Sequence, residues 1–327
     1  MTLHWCETLE SFIRIPSTTG QEHEAAFFLQ ALLKKQFPEA ETTLIPVDGD
    51  RCNVRCVKGS PSLTLTSHFD TVPGDVAAQR DEFRIVGRGA CDAKGQIISQ
   101  LWGLSLATEK GLSDYCCHFV VGEETDGVGA RALLKNNPST PYILNGEPTR
   151  NRFVSKCWGA ADVLLRATGT ARHSSLGTEH SAIHALVRDL QRIISADIPT
   201  VSVNIGRITG GTAANVQAEN ASAVLCVRMS DDAESALKIL RSIVRECEVV
   251  VPAAPLVPMQ LFVPDIEASS ACETKFSSDC SVYAQAFEKV MLFGPGDIQY
   301  AHTSYEFISV DELEVAAKRI AALVRVL

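Results

Sequence analysis

No run of about 18 consecutive apolar residues occurs in this 327-residue chain, which excludes a helical membrane span. Nor is there a Lys/Arg-rich cluster. Net charge is −9 and the sequence pI about 5.4, so the basic footprint of a nucleic-acid-binding protein is missing. The eleven cysteines are odd in number and include no CxxC pair, which argues against a disulfide framework or a structural zinc site. Reduced thiols filling the core of a cytoplasmic protein are expected instead. The N-terminal MTLHWCETLESFIRI has neither a basic start nor an unbroken apolar segment, so no secretory signal is expected. Internal repeats and low-complexity tracts are also lacking.

What is present is the composition of a soluble globular protein, 46% hydrophobic and 21% charged, at a length suited to two domains. Helical spacing marks ETLESFIRIPS and QEHEAAFFLQALLKKQF. LTLT, Leu63 to Thr66, alternates as a strand, and GQIISQLWGLSLATEKG reads as a helix. YCCHFVVGEE and PYILNGEP are strand-like runs, and GVGARALLKNN is a helix between them. Strands alternating with helices point to a parallel α/β sheet. After about Lys156 the rhythm becomes β-α-β-β-α-β, running from GAADVLLRATG to a last strand in PLVPMQLFVP, the order of a ferredoxin-like unit. KVMLFGPG then resumes as a strand. SVDELEVAAKRIAALVRVL closes as a helix with Ser309 as N-cap and Glu312 at N3. The expected organisation is a catalytic domain over 1–156 and 274–327, interrupted by an α+β domain over 157–273.

The polar residues fall in a pattern. His68, the pair Glu123 and Glu124, and Glu147 each stand where a strand-like run meets a loop, and Asp92 lies in the glycine-rich loop GRGACDAKG. In open parallel sheets ligands bind at the carboxyl ends of the strands, so these groups can converge in one cleft. Carboxylates crowded together repel unless a cation neutralises them. Mixed imidazole and carboxylate donors suit zinc or a similar divalent ion. His68 and Asp70, two apart in an extended segment, point the same way, which lets Asp70 orient a ligating His68 ring.

SHFDTVP, GRGACDAKG, GEET, NGEPT and GPGDIQYAHTSYE, in this order, resemble the motifs of the metal-dependent aminoacylase, deacetylase and carboxypeptidase family, most nearly its acetylornithine deacetylases. The resemblance implies an α/β catalytic domain of the di-metal aminopeptidase-like kind, with an inserted ferredoxin-like domain through which relatives form homodimers. It implies two divalent metals, zinc by default with cobalt as the alternative. His68 and Glu147 would hold one, Glu124 and His302 the other, with Asp92 bridging. Glu123 would be the general base for a water held by the two metals, and Asp70 the buttress of His68. His173, in GTARHSSLG, matches the histidine lent to the partner subunit's site, where it would donate to the oxyanion. Arg228 and Asn215 match positions near the substrate carboxylate. The implied substrate is a small N-acyl amino acid, first N-acetyl-L-ornithine in arginine biosynthesis, then N-acetylcitrulline. A desuccinylase or dipeptidase of the same fold is the alternative, and a catalytically silent binding protein is the alternative of another class. No nucleic acid or membrane partner is expected.

Overall fold

The computed structural model describes residues 2–136 and 140–327. Two compact units form: one from Met1–Ser155, Leu261–Cys272 and Ser278–Leu327, the other from Lys156–Gln260 and Glu273–Ser277.

In the larger unit α1 (Thr2–Ile13) and α2 (His23–Gln36) come first. Trp5, Leu9 and Phe12 recur along α1 at the spacing of one helical face, and all three are buried. Next comes the hairpin of β1 (Glu41–Asp48) and β2 (Arg51–Lys58), then β3 (Leu63–Thr66). They are followed by α3 (Lys94–Thr108), β4 (Tyr115–Phe119), α4 (Val128–Lys135) and β5 (Tyr142–Asn145).

The smaller unit runs β6 (Gly159–Thr168), α5 (Ala182–Ser195), β7 (Val201–Gly210), β8 (Asn220–Met229), α6 (Ala233–Ile243) and β9 (Glu248–Val250). Its antiparallel sheet has the order β7-β8-β6-β9, the ferredoxin-like arrangement expected. Alternate residues of β6 and β8 face inward, Val163, Leu165, Leu225 and Val227 among them, and pack with Leu186 and Leu237 of the two helices. The last strand falls earlier than PLVPMQLFVP suggests. Pro255 and Pro258 supply no N–H to a ladder, and the segment keeps only an isolated bridge from Leu256 to Ala160 and the two-residue strand Met259–Gln260. Asp189 of α5 closes the unit: its buried carboxylate accepts the backbone N–H groups of Arg245, Glu246 and Cys247 at 2.8–2.9 Å.

The chain then completes the larger unit with β10 (Lys289–Leu292) and α7 (Val310–Leu323). Ser309 caps α7 as expected, its hydroxyl accepting the Glu312 N–H. The main sheet has the order β1-β2-β4-β3-β5-β10. β4, β3, β5 and β10 are parallel, while β1 and β2 join antiparallel. The sheet is therefore mixed rather than wholly parallel. Close packing of α3 on α7 needs Gly103, where a Cβ would stand 2.7 Å from the Ala317 carbonyl oxygen.

His118, in the middle of β4, is a structural histidine. The Asn53 side-chain amide lies 3.3 Å from its Nε2 and also donates to the Gly129 carbonyl. Burial, reinforced by the Arg55 charge, pushes its pKa down to about 3. The native state thus keeps His118 neutral where the unfolded chain would protonate it. Stability is present above the ordinary histidine range and declines as pH falls below about 6.5 toward 3, by up to about 1.4 kcal/mol per pH unit. Urea unfolding at pH 7, 6 and 5 is expected to show a shallower decline for His118→Gln than for the natural chain. Equal slopes would exclude this role.

Candidate active site

Four parallel strands deliver the polar residues to one end of the sheet. β3 continues through Ser67 into His68, whose backbone still bridges to Val120 beyond β4. Glu123 and Glu124 follow β4 after the turn at Gly122. That glycine has φ +78, and a Cβ there would stand 2.5 Å from the Arg51 guanidinium. Glu147 follows β5, and the segment after β10 leads through Gly294 and Gly296 to His302. Asp92 sits two residues before α3.

The side chains meet in a chain of short contacts. His68 Nε2 lies 3.1 Å from Asp92 Oδ1. His302 Nε2 lies 3.3 Å from Asp92 Oδ2 and 2.9 Å from Glu124 Oε1. One ligand atom from each of His68, Asp92 and Glu124 falls within 4.8 Å of the others. Glu147 is buried nearby, with Asn145 Nδ2 3.4 Å from its carboxylate, but lies outside that tight trio. His302 adopts φ 64, a left-handed conformation uncommon outside glycine. Such backbone strain, of the order of 1–3 kcal/mol, clusters at functional sites.

Asp70 does more than buttress a ring. The nearer partner of His68 Nδ1 is the Asp70 carbonyl oxygen at 3.0 Å, with the carboxylate at 3.4 Å. The carboxylate itself accepts the Glu123 N–H at 3.1 Å, the Glu124 N–H at 3.2 Å and the Thr19 hydroxyl at 2.8 Å. It therefore holds the histidine and the glutamate turn together.

The electrostatics call for a cation. Burial raises the Glu123 carboxyl well above the ordinary range, and Glu147, Asp279 and Glu124 push the same way against His68. Burial also raises Glu147 and Glu124. Burial works against the Asp92 charge, yet hydrogen bonds to His302 and His68 hold its carboxyl well below its usual value. Bonds to Asp92 and Glu124 lift His302 to about 10. Without a cation the cluster is compensated from both sides, by imidazoles that keep their protons to higher pH and by carboxyls that do the same. Divalent ions would take the same carboxylate oxygens and imidazole nitrogens as ligands, so the donor set fits a metal centre.

Two residues without an expected role belong to this region. Asp279 is buried with Oδ2 unpaired, and burial together with neighbouring Asp70 and Asp126 raises it to about 7, against His68 and Arg131. Glu306 is also buried, its carboxylate accepting several N–H groups of the Asp92 loop. Neither follows an apolar strand-like run, the pattern that marks Glu123, Glu124 and Glu147 in the sequence.

The remaining expected residues lie in the smaller unit. His173 and Asn215 come together there: the Ser174 N–H donates to the Asn215 carbonyl, and His173 bridges Val216. His173 Nδ1 accepts the Ser175 N–H, which leaves the proton on Nε2 of the neutral ring. Arg228 is half-buried on β8 and donates to the Ser277 hydroxyl at 2.9 Å.

A family model described as Peptidase family M20/M25/M40 matches residues 64–326. The chain belongs to this family. As an M20 protein it is a hydrolase of amide bonds that uses metal. The peptidase M20 domain-containing protein of Schizosaccharomyces pombe is 30% identical over 93% of this chain and 80% of its own. An Aeropyrum pernix protein provisionally named a LysW-lysine/LysW-ornithine hydrolase is 31% identical over 79% of this chain and 78% of its own. In fold, the M20 chain is similar to a Staphylococcus aureus tripeptidase, with TM-score 0.80, 20% identity and 99% of each chain covered. It is also similar to an M20 family metallo-carboxypeptidase of Sulfolobus solfataricus, with TM-score 0.75, 15% identity and 98% of each covered. None of these names is that of an acetylornithine deacetylase. Among the described residues no helix is long and apolar enough to cross a membrane.

Proposed function

We propose that this M20 hydrolase releases an amino acid with a free carboxylate, ornithine or lysine first, from an acyl or peptidyl group in amide linkage to its amine. The observation that carries the reading is the contact chain His68–Asp92–His302–Glu124 with Glu123 beside it. The A. pernix relative's name supports the amino acid, since it places lysine or ornithine in the substrate. N-acetyl-L-ornithine, which the motifs suggest, belongs to the same class with the smallest acyl group.

In this reading His68 and Glu147 would hold one divalent cation and Glu124 and His302 a second, with Asp92 contributing to both. Zinc is the first candidate and cobalt the next, from the mixture of imidazole and carboxylate donors. When bound, the cations would supply Lewis acidity toward the amide carbonyl and toward a nearby water. The protein's own groups do the rest. Glu123 takes the proton of the attacking water and later delivers it to the departing amine. Its main chain is anchored to Asp70, so the carboxylate is presented without reorganisation. His173, protonated on Nε2, donates to the oxyanion, lent by the second subunit of a homodimer. Arg228 and Asn215 receive the substrate carboxylate, for which a guanidinium offers a bidentate fork.

Initial rates on N-acetylornithine, N-acetylcitrulline, N-succinyl-diaminopimelate and peptides ending in ornithine or lysine test this directly, with added zinc or cobalt and a chelated control. Metal-dependent release of ornithine or lysine is expected. Hydrolysis confined to the succinyl compound would overturn the substrate class, and silence of the metal-loaded protein on every compound would overturn the reading.

A further inference from the structure

Glu306 gathers almost the whole of the loop that carries Asp92. Its carboxylate Oε1 accepts the N–H groups of Gly89, Cys91 and Asp92 at 3.0, 3.0 and 3.1 Å. Its Oε2 accepts from the Arg88 guanidinium at 2.6 Å. Its carbonyl oxygen accepts the Gly87 N–H at 3.0 Å. Of the six residues Gly87 to Asp92, only Ala90 does not donate to it; the Ala90 N–H turns back to Gly87. The Glu306 side chain is 0% exposed, so these bonds replace water completely. Arg88 is fixed in turn, its Nε donating to the Gly74 carbonyl at 2.9 Å.

The same residue stands four positions after His302. A single rigid connection therefore runs from the His302 segment, through the Glu306 carboxylate, to the Asp92 backbone. The two side chains it links face each other at 3.3 Å across 210 residues of sequence. Residues that orient metal ligands without touching the metal typically contribute 10–100-fold in metal affinity or activity.

We propose that Glu306, clamped by Arg88, is a positioning residue that sets the Asp92–His302 spacing of the metal centre, a role resting on the metal-dependent reading above. It touches neither substrate nor metal and acts only through the Asp92 loop. Glu306→Gln tests it well. The amide keeps the size and one acceptor oxygen for the three N–H groups, but turns an NH2 donor toward the Arg88 donors.

Metal-stripped natural chain and E306Q would be titrated with Co2+, following the visible absorption of the bound ion and its dissociation constant, alongside urea unfolding of the metal-free forms. About 10–100-fold weaker Co2+ binding with an altered spectrum is expected for E306Q, with kcat reduced and KM retained. Arg88→Met, which leaves the three backbone contacts, supplies the second variant, and about a threefold to tenfold loss of affinity is expected from the same range. Adding R88M to E306Q should cost little more than E306Q alone, since both break one contact. Unchanged Co2+ affinity and spectrum in E306Q, or in R88M should E306Q not fold, would overturn the proposal. The metal readout needs no substrate: altered Co2+ binding in a protein inactive on amides would uphold the positioning role while sinking the proposed reaction. A natural chain that binds no Co2+ would overturn both.

Discussion

Replacing Glu123 by alanine is expected to lower kcat by about 10²–10⁴-fold, the scale of general acid–base catalysis, while metal stoichiometry stays at the natural level. The expectation follows from a division of labour between adjacent carboxylates. Glu124 contacts His302 at 2.9 Å and belongs to the tight donor trio, whereas Glu123 is outside it. Both main-chain N–H groups are held by Asp70, so removing the Glu123 side chain leaves the turn and its neighbour anchored. Glu123→Asp, which keeps the charge but withdraws it by one methylene, should fall between the two. The check is metal content beside single-turnover kinetics on whichever substrate is cleaved. Parallel loss of metal and turnover would make Glu123 a ligand rather than the base.

Asp92→Ala is expected to have a comparably large but different effect: activity down by about 10²–10³-fold together with loss of metal. Its two oxygens face the two imidazoles, His68 at 3.1 Å and His302 at 3.3 Å, so no other residue stands in for it. Hydrogen bonds to Asp92 also help to raise both imidazole pKa values. With Asp92 removed, those rings would neutralise at lower pH, and the remaining carboxylates would face each other with less compensation. His302→Ala provides the contrast, since it removes one end of the contact chain and should lower occupancy toward one metal per chain. Asp92→Ala retaining full occupancy would mean that it does not join the two positions.

Much of this was legible from local pattern alone. The alternation of LTLT followed by His68 and Asp70 marked a strand end with two side chains on one side, and they meet there. Glu123, Glu124 and Glu147 declared themselves by ending apolar runs. Ser309 and Glu312 marked a helix start. The hairpin of β1 and β2 escaped notice because β1 is half exposed and its register shifts near Pro46, which blurs the two-residue period. β9 is only three residues long and partly exposed, too short to show a period. Glu306 and Asp279 were illegible for another reason. Their surroundings come from segments far apart in sequence, and a carboxylate in SYEF or SSDC carries no local sign of what folding will bring to it. The orientation of Asp70 toward the Glu123 and Glu124 amides is of the same kind.

His68, Asp92, Glu124, Glu147 and His302 are proposed to form one two-metal centre whose occupancy switches on amide hydrolysis. Its most direct test is a titration of the chelator-stripped protein with Zn2+, recording bound metal by calorimetry and amide hydrolysis in the same samples. Two equivalents per chain are expected, with hydrolysis rising as they fill and abolished again by chelator. Full hydrolytic activity in protein shown to hold no metal, or two bound equivalents in the His68→Ala, His302→Ala double variant, would contradict it.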